Sequence, residues 1–240
     1  MYKGKKVSLV LPAYNEEESI THVISDFSKI KEIDEIVVVD NNSKDKTALL
    51  ARKTKKAKVV KEIKQGYGYA VRKGLDIAKG DILILCDVDR TYKAEDTKKL
   101  LSQAHNFDFV FSTRVHKRYL LKGADMWFIR RWANITLSKM IQFLFMGPSL
   151  TDIGATFRLF NRKPLEVIKP YFKVGGGHFQ PELTILALLN GFSIKEVPVY
   201  YGPRSGTSKI AGSLKGSIKT AKNMLKLIIY YRINSLRGKN

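Results

Sequence analysis

The sequence predicts an α/β protein built on a mainly parallel central sheet, and three observations predict it. First, apolar runs of strand length recur at 7–11 (VSLVL), 35–39 (EIVVV), 81–86 (DILILC) and 107–112 (FDFVFS). Second, segments of helical pattern separate them, the alternation that buries a parallel sheet between helices. Third, polar residues gather where the runs end, in PAYNEE, DNNSKDKT and DVDRTY. Ligands of open parallel sheets bind beyond these carboxyl ends. With 240 residues, 44% of them hydrophobic, the chain can fill a sizeable core.

In chain order, the first strand leads to Asn15, expected as the N-cap of a helix with an acidic first turn, EEESITHVISDFSKI. Ile20, Val23, Ile24 and Phe27 fall on one face of that helix, which therefore packs on the sheet. After the second strand, KQGYGYAVRKGLDIAKGD (64–81) places Gly66 and Gly68 ahead of a helix. This resembles the start of a dinucleotide fingerprint, but Val71 occupies the last glycine's place, so the glycines are read as a turn or as a close backbone approach to a ligand. Beyond residue 113 a basic, aromatic segment, RVHKRYLLKGADMWFIRRWANITLSKMIQFLFMG, reads as a mobile loop followed by a long amphipathic helix. A strand within IGATFRLFN, a helix in PELTILALLNG and a strand in SIKEVPVYY follow. The last segment, SLKGSIKTAKNMLKLIIYYRI, is a helix with Lys215, Lys219, Lys222 and Lys226 in one stripe. Leu214, Ile218, Ala221, Leu225 and Ile228 lie beside it, the pattern of a helix in a membrane interface or of one docked on the domain with a solvated edge. The division is a domain over 1–212 and an amphipathic helix over 213–240.

Lys and Arg number 43 against 22 Asp and Glu, a net charge of +21. Such an excess suits nucleic acid, an anionic lipid surface or a phosphorylated substrate, or simply a lysine-rich solvated surface. Cys86 is the single cysteine, so no disulfide forms within the chain, and a reducing compartment is expected with Cys86 in the core. His22, His105, His116 and His178 are scattered without metal-ligand spacing and are read as structural or surface residues. The N-terminus turns polar too soon for a secretory signal. The longest charge-free windows, Met140–Thr151 and Leu183–Ile194, are short of the roughly 20 apolar residues a spanning helix needs.

The sharpest local feature is ILILCDVDRTY, where a buried-type strand ends in Asp87 and Asp89 with Val88 between them. A hard divalent cation takes one or two carboxylates and completes its shell with phosphate oxygens and water, which is how a diphosphate is held and its departure eased. Alone, the pair is a weak signal, since two exposed turn carboxylates account for most such occurrences.

Five segments together resemble the family 2 glycosyltransferases, and within them the dolichyl-phosphate mannosyltransferase-like branch. They are LVLPAYNEEESI, DEIVVVDNNSKDKT, GYGYAVRKGLDIAKGDILILCDVD, TDIGATFRLFNR and GFSIKEVPVYYGPRSGTSKI, in the family's order and spacing up to about residue 212. The resemblance implies the nucleotide-sugar-binding α/β sandwich termed GT-A. It implies that Pro12, Tyr14, Glu16, Val38 and Asp40 cradle the nucleoside, that Asp87, Val88 and Asp89 form the metal motif for Mg²⁺ or Mn²⁺, and that Arg114 lies near the donor. Arg204 and Lys209 match a basic pair that clamps phosphates, a role suited to two cations flanking Gly206. Asp152, Arg158 and Glu182 match polar positions of the acceptor side, where a structural ion pair or helix cap is the alternative. The sequence departs from the pattern at Asn41 and Asn42, where Asp-Gly is frequent, and at Thr91, where a metal-ligating Gln is frequent.

Arg118, Arg130 and Arg131 stand among Tyr119, Trp127, Phe128 and Trp132, a mixture suited to a lipid phosphate. Single-stranded nucleic acid would suit it too, but the acidic rim would repel a polynucleotide, so no nucleic-acid partner is expected. The implied function is inverting, metal-dependent transfer of a sugar from a nucleotide-diphosphate sugar to a polyprenyl or dolichyl phosphate. The enzyme would be peripheral at the inner, cytoplasmic face of the membrane. The alternatives are a glycan or protein hydroxyl acceptor, and a non-catalytic basic protein binding nucleic acid or membrane.

Overall fold

The computed structural model describes residues 1–124, 128–205 and 214–236, with backbone alone at 128–130, 214, 215 and 217. Among the described residues the strands are β1 (Val7–Ala13), β2 (Glu35–Asp40), β3 (Lys58–Lys61), β4 (Ile82–Leu85), β5 (Phe109–Thr113), β6 (Arg158–Asn161) and β7 (Ile194–Pro198). They form one sheet in the order β3-β2-β1-β4-β6-β5-β7. All pairings are parallel except those of β6, which runs antiparallel to β4 and β5. The helices are α1 (Ile20–Phe27), α2 (Thr47–Lys53), α3 (Tyr67–Ile77), α4 (Thr97–Gln103), α5 (Phe128–Leu144), α6 (Arg162–Ile168), α7 (Phe179–Leu189) and α8 (Leu214–Leu236).

Every residue of β1 is buried, because both faces of the sheet are covered. Alternate side chains divide between two cores, as the two-residue period of a strand requires. Leu9 and Leu11 join Val38, Ile84 and the apolar face of α1, while Val10 joins Val39, Leu83, Leu85 and residues of α3, α5, α7 and α8. Gly74 lets α3 lie close on the sheet, since a methyl group there would collide with Val10.

The chain steps from β1 outward to β2 and β3, then crosses back to β4 on the other side of β1. Loops leaving the carboxyl ends of β1 and β4 therefore diverge, and the crevice between them is where such sheets bind ligands.

Several expectations need correction. Helix α1 begins at Ile20 with Ser19 as its N-cap, so Glu16, Glu17 and Glu18 precede it. Asn15 is instead left-handed, with φ of 51°, and its Oδ1 accepts the Lys44 N–H at 2.8 Å, tying the β1 and β2 loops together. The strand sought in IGATFRLFN is only four residues long and antiparallel. Helix α7 starts at Phe179, two residues before the segment named for it.

The last helix is both docked and exposed. Met224, Ile228 and Tyr231 are buried in the core shared with α5 and α7, whereas Ile218, Leu225, Ile229, Ile233 and Leu236 face solvent. The single apolar stripe expected from sequence thus splits, with Ile228 inward and Ile218 and Leu225 outward beside Lys219, Lys222 and Lys226. Lys215 lies outside the described side chains. Helix α5, packed against α8, exposes Trp132 and Phe143.

Candidate active site

At the rim, β1 and β2 end in register, Ala13 opposite Asp40, and the Asn41 N–H continues the ladder to the Ala13 carbonyl at 2.8 Å. Asp40 is buried and accepts the Ser43 N–H at 3.1 Å. Asn42 adopts φ of 61°, a conformation that explains why glycine is frequent at its position and that asparagine tolerates. Asn41 bonds the Lys64 carbonyl at 2.8 Å through Nδ2 and accepts the Gly66 N–H at 2.8 Å through Oδ1, fixing the turn into α3. Gly66 and Gly68 serve a close approach of the protein to itself: methyl groups on them would collide with backbone at Gly175 and Val174.

Beyond β4 the chain turns sharply through Arg90, at φ of 65°, and brings Asp87 and Asp89 into inequivalent places. Asp89 is buried; its Oδ1 accepts the Thr91 hydroxyl at 2.6 Å and the Thr91 N–H at 3.1 Å. Its Oδ2 pairs with Arg204 Nη1 at 2.8 Å, and Arg204 Nη2 reaches Glu16 Oε1 at 3.0 Å. Asp87 Oδ2 accepts the Thr156 hydroxyl at 2.8 Å. Arg204 therefore bridges the β1 and β4 loops, held there by the Ser205 N–H on the Asp89 carbonyl at 2.9 Å.

Burial and the neighbouring Asp89 push the Asp87 carboxyl above the usual range. Burial raises Glu16 to about 7, against the pull of Arg204, with Asp89 and Asp87 adding to the rise. For Arg204, burial opposes its charge but Asp89, Glu16 and Asp87 outweigh it and raise its pKa. Carboxylates that resist joint ionisation around one cation are a fit environment for a divalent ion. Among the described residues no cluster of three metal-binding side chains forms.

The acceptor-side residues are arranged differently from expectation. Arg114 and Asp152 form a buried two-point ion pair: Nε to Oδ2 at 2.7 Å and Nη2 to Oδ1 at 2.8 Å, with the Arg114 N–H also on Oδ2 at 3.0 Å. Arg158 is fully buried and donates to the carbonyls of Ala155, Ile153 and Gln180 and to Thr184 Oγ1. Its guanidinium lies over the Phe111 ring, 4.0 Å from the centroid. Glu182 is also fully buried and accepts from the Lys173 and Val174 N–H groups and from Tyr231 Oη. Both residues are bonded from within the core, in line with the structural alternative weighed for them. Val38 and Val88 likewise point into the core.

Pro12 is buried at the end of β1 and Tyr14 is half-buried beside it. Arg118 is exposed on a short 3-10 turn at 117–119. Arg131 is half-buried with its Nε unpartnered, one turn before Asn134, whose Oδ1 crowds Gly154 together with Arg114. Lys209 and the Arg130 side chain lie outside the described residues. Sequence reasoning missed Thr156, Tyr92 and Glu196. Glu196 accepts the Thr151 and Asp152 N–H groups at 2.8 and 3.0 Å, and Tyr92 Oη accepts the Thr156 N–H at 3.2 Å. Each acts on a residue distant in sequence, so no local signal marked it.

The family model "Glycosyl transferase family 2" matches residues 8–169. A dolichyl-phosphate hexose transferase of Haloferax volcanii is 30% identical over 234 residues, 97% of this chain and 98% of the relative. An uncharacterized glycosyltransferase of Mycobacterium tuberculosis is 33% identical over 226 residues, 94% of this chain and 99% of its own. Among solved structures, glucosyl-3-phosphoglycerate synthase from M. tuberculosis, in complex with Mn²⁺, UDP and phosphoglyceric acid, superposes with a TM-score of 0.74. It is 21% identical, covering 95% of this chain and 79% of that one, a likeness of fold.

Proposed function

The chain belongs to glycosyl transferase family 2, and on that premise we propose that it moves a hexose from a nucleotide-diphosphate sugar to a polyprenyl or dolichyl phosphate at a membrane surface. The observation that carries the phosphate acceptor is the engagement of Asp152 and Glu182. A hydroxyl nucleophile needs a positioned base to take its proton. Both oxygens of Asp152 are held by Arg114, and both oxygens of Glu182 by backbone N–H groups and Tyr231. A phosphate monoester, with a second pKa of about 6, brings its own anionic oxygen near neutral pH and needs positioning alone.

In this reading Pro12, Tyr14 and Asp40 hold the nucleoside. Asp87 and Asp89 would hold a divalent cation, which would supply charge neutralisation for the diphosphate leaving group. Arg204 leaves the carboxylates to meet the donor phosphates, the role that Lys209 would share. The Arg114–Asp152 pair frames the acceptor loop, and Arg118, Arg130 and Arg131 receive the acceptor phosphate, which attacks in line and inverts the anomeric carbon.

The lipid part of the acceptor is supported by the name of the Haloferax relative and by helices α5 and α8. Their exposed Trp132, Phe143, Leu225, Ile229 and Ile233, next to Lys219, Lys222 and Lys226, suit an interface with anionic lipid. We place the enzyme peripherally on the cytoplasmic face of the membrane, on the strength of this basic and apolar surface; no helix among the described residues is long and apolar enough to cross a membrane. The test incubates the protein with labelled nucleotide sugars, Mn²⁺ or Mg²⁺, and polyprenyl phosphate. Label is expected in the organic phase as an acid-labile lipid. Label found only in glycan or protein would overturn the acceptor.

A further inference from the structure

We propose that Thr156 and Thr91 are positioning residues for the divalent cation, each holding one oxygen of a metal-binding carboxylate so that the other faces the ion. This rests on the metal reading above. The two hydroxyls act on different aspartates: Thr156 Oγ1 donates to Asp87 Oδ2 at 2.8 Å, and Thr91 Oγ1 donates to Asp89 Oδ1 at 2.6 Å. What is left for a cation is Asp87 Oδ1 and Asp89 Oδ2, and Asp89 Oδ2 already holds the Arg204 guanidinium at 2.8 Å. A carboxylate held through one oxygen cannot rotate away from the ion it serves, and partners of this kind commonly govern affinity as strongly as ligands do.

Thr156 reaches Asp87 across 69 residues of sequence, so its contact is a product of the tertiary fold. Its own place is fixed on both sides. The Thr156 N–H rests on Tyr92 Oη at 3.2 Å, and the carbonyl of Ala155 before it accepts Arg158 Nε at 2.7 Å. The buried Arg158 thereby serves the metal site indirectly, by fixing the loop before β6 that carries Thr156. Thr91 makes a local turn, its N–H and hydroxyl both on Asp89 Oδ1. It would act on the ion through Asp89.

The experiment titrates Mn²⁺ by electron paramagnetic resonance into wild type, Thr156→Val and Thr156→Ser, alone and with UDP or GDP present, with thermal melting run in parallel. Thr156→Val keeps the shape and removes the hydroxyl, and it should weaken Mn²⁺ binding by roughly 10–100-fold with the melting temperature little changed. Thr156→Ser restores the hydroxyl and should bind nearly as wild type. Should Thr156→Val not fold, Thr91→Val carries the same expectation. Valine variants that bind Mn²⁺ as wild type does would overturn the inference, as would a serine variant as weak as the valine. A wild type that binds no Mn²⁺ under any of the three conditions would overturn the metal reading and this inference with it.

Discussion

Arg204 is joined to Glu16 and Asp89 across the mouth of the crevice, where the proposed reading puts the divalent cation. On that reading a metal entering would displace it, and the guanidinium would then be available to the donor phosphates. Arg204→Gln should therefore tighten Mn²⁺ binding in the absence of nucleotide while weakening nucleoside diphosphate binding, both measurable by calorimetry. The ligand must also be deprotonated. Since burial and Asp89 raise the Asp87 pKa, protons compete with the metal at a higher pH than for an ordinary carboxylate. Mn²⁺ affinity should be full above that raised pKa and fall as pH is lowered through it; a profile flat down to about pH 4, the ordinary carboxylate value, would contradict this. Arg158 tests the opposite kind of residue. Replacing it by Met takes the donor from the buried carbonyls of Ala155 and Ile153, each worth about 1–3 kcal/mol, while the Gln180 carbonyl keeps the Thr184 hydroxyl. Urea unfolding should therefore show a loss of at least about 2 kcal/mol.

At the scale of elements, α8 separates burial from exposure along one helix. Ile228 is wholly buried and Ile229, the next residue, is 47% exposed. Ile228→Ala should cost about 2–5 kcal/mol through the cavity it leaves. Serine at Leu225, Ile229 and Ile233 together should leave unfolding nearly unchanged yet release the protein from anionic vesicles in a flotation assay. Unchanged flotation would remove α8 from the membrane reading. The apolar periodicity of this helix was plain in the sequence, but two adjacent stripes give one pattern, and only the docking of Met224, Ile228 and Tyr231 decides which is inward. The strands divide similarly. The runs at β1, β2 and β4 are continuous apolar stretches because both of their faces are covered. β3 is four residues of KVVK at the sheet edge, too short and too charged to stand out. The reversal at β6 leaves no trace in composition, since pairing direction depends on partners far along the chain.

For the whole molecule, the mainly parallel sheet and the rim that gathers Glu16, Asp40, Asp87 and Asp89 were legible because each carboxylate lies within a few residues of the end of an apolar run. Arg204 was legible only through family resemblance. Thr156, Glu196 and Tyr92 were illegible, since their meaning lies in contacts between distant segments. Asp152 and Glu182 match acceptor-side positions by resemblance, and their oxygens are engaged by Arg114, backbone N–H groups and Tyr231; the proposed account of the reaction turns on that engagement. Its central claim is that the acceptor supplies its own anionic oxygen. The most direct test compares polyprenyl phosphate with the matching polyprenol, which has a hydroxyl in place of the phosphate, at saturating donor and Mn²⁺ in the same vesicles. Transfer to the phosphate, with none detectable to the alcohol, is the predicted result. Transfer to polyprenol at a comparable rate would reveal a working base and contradict the claim.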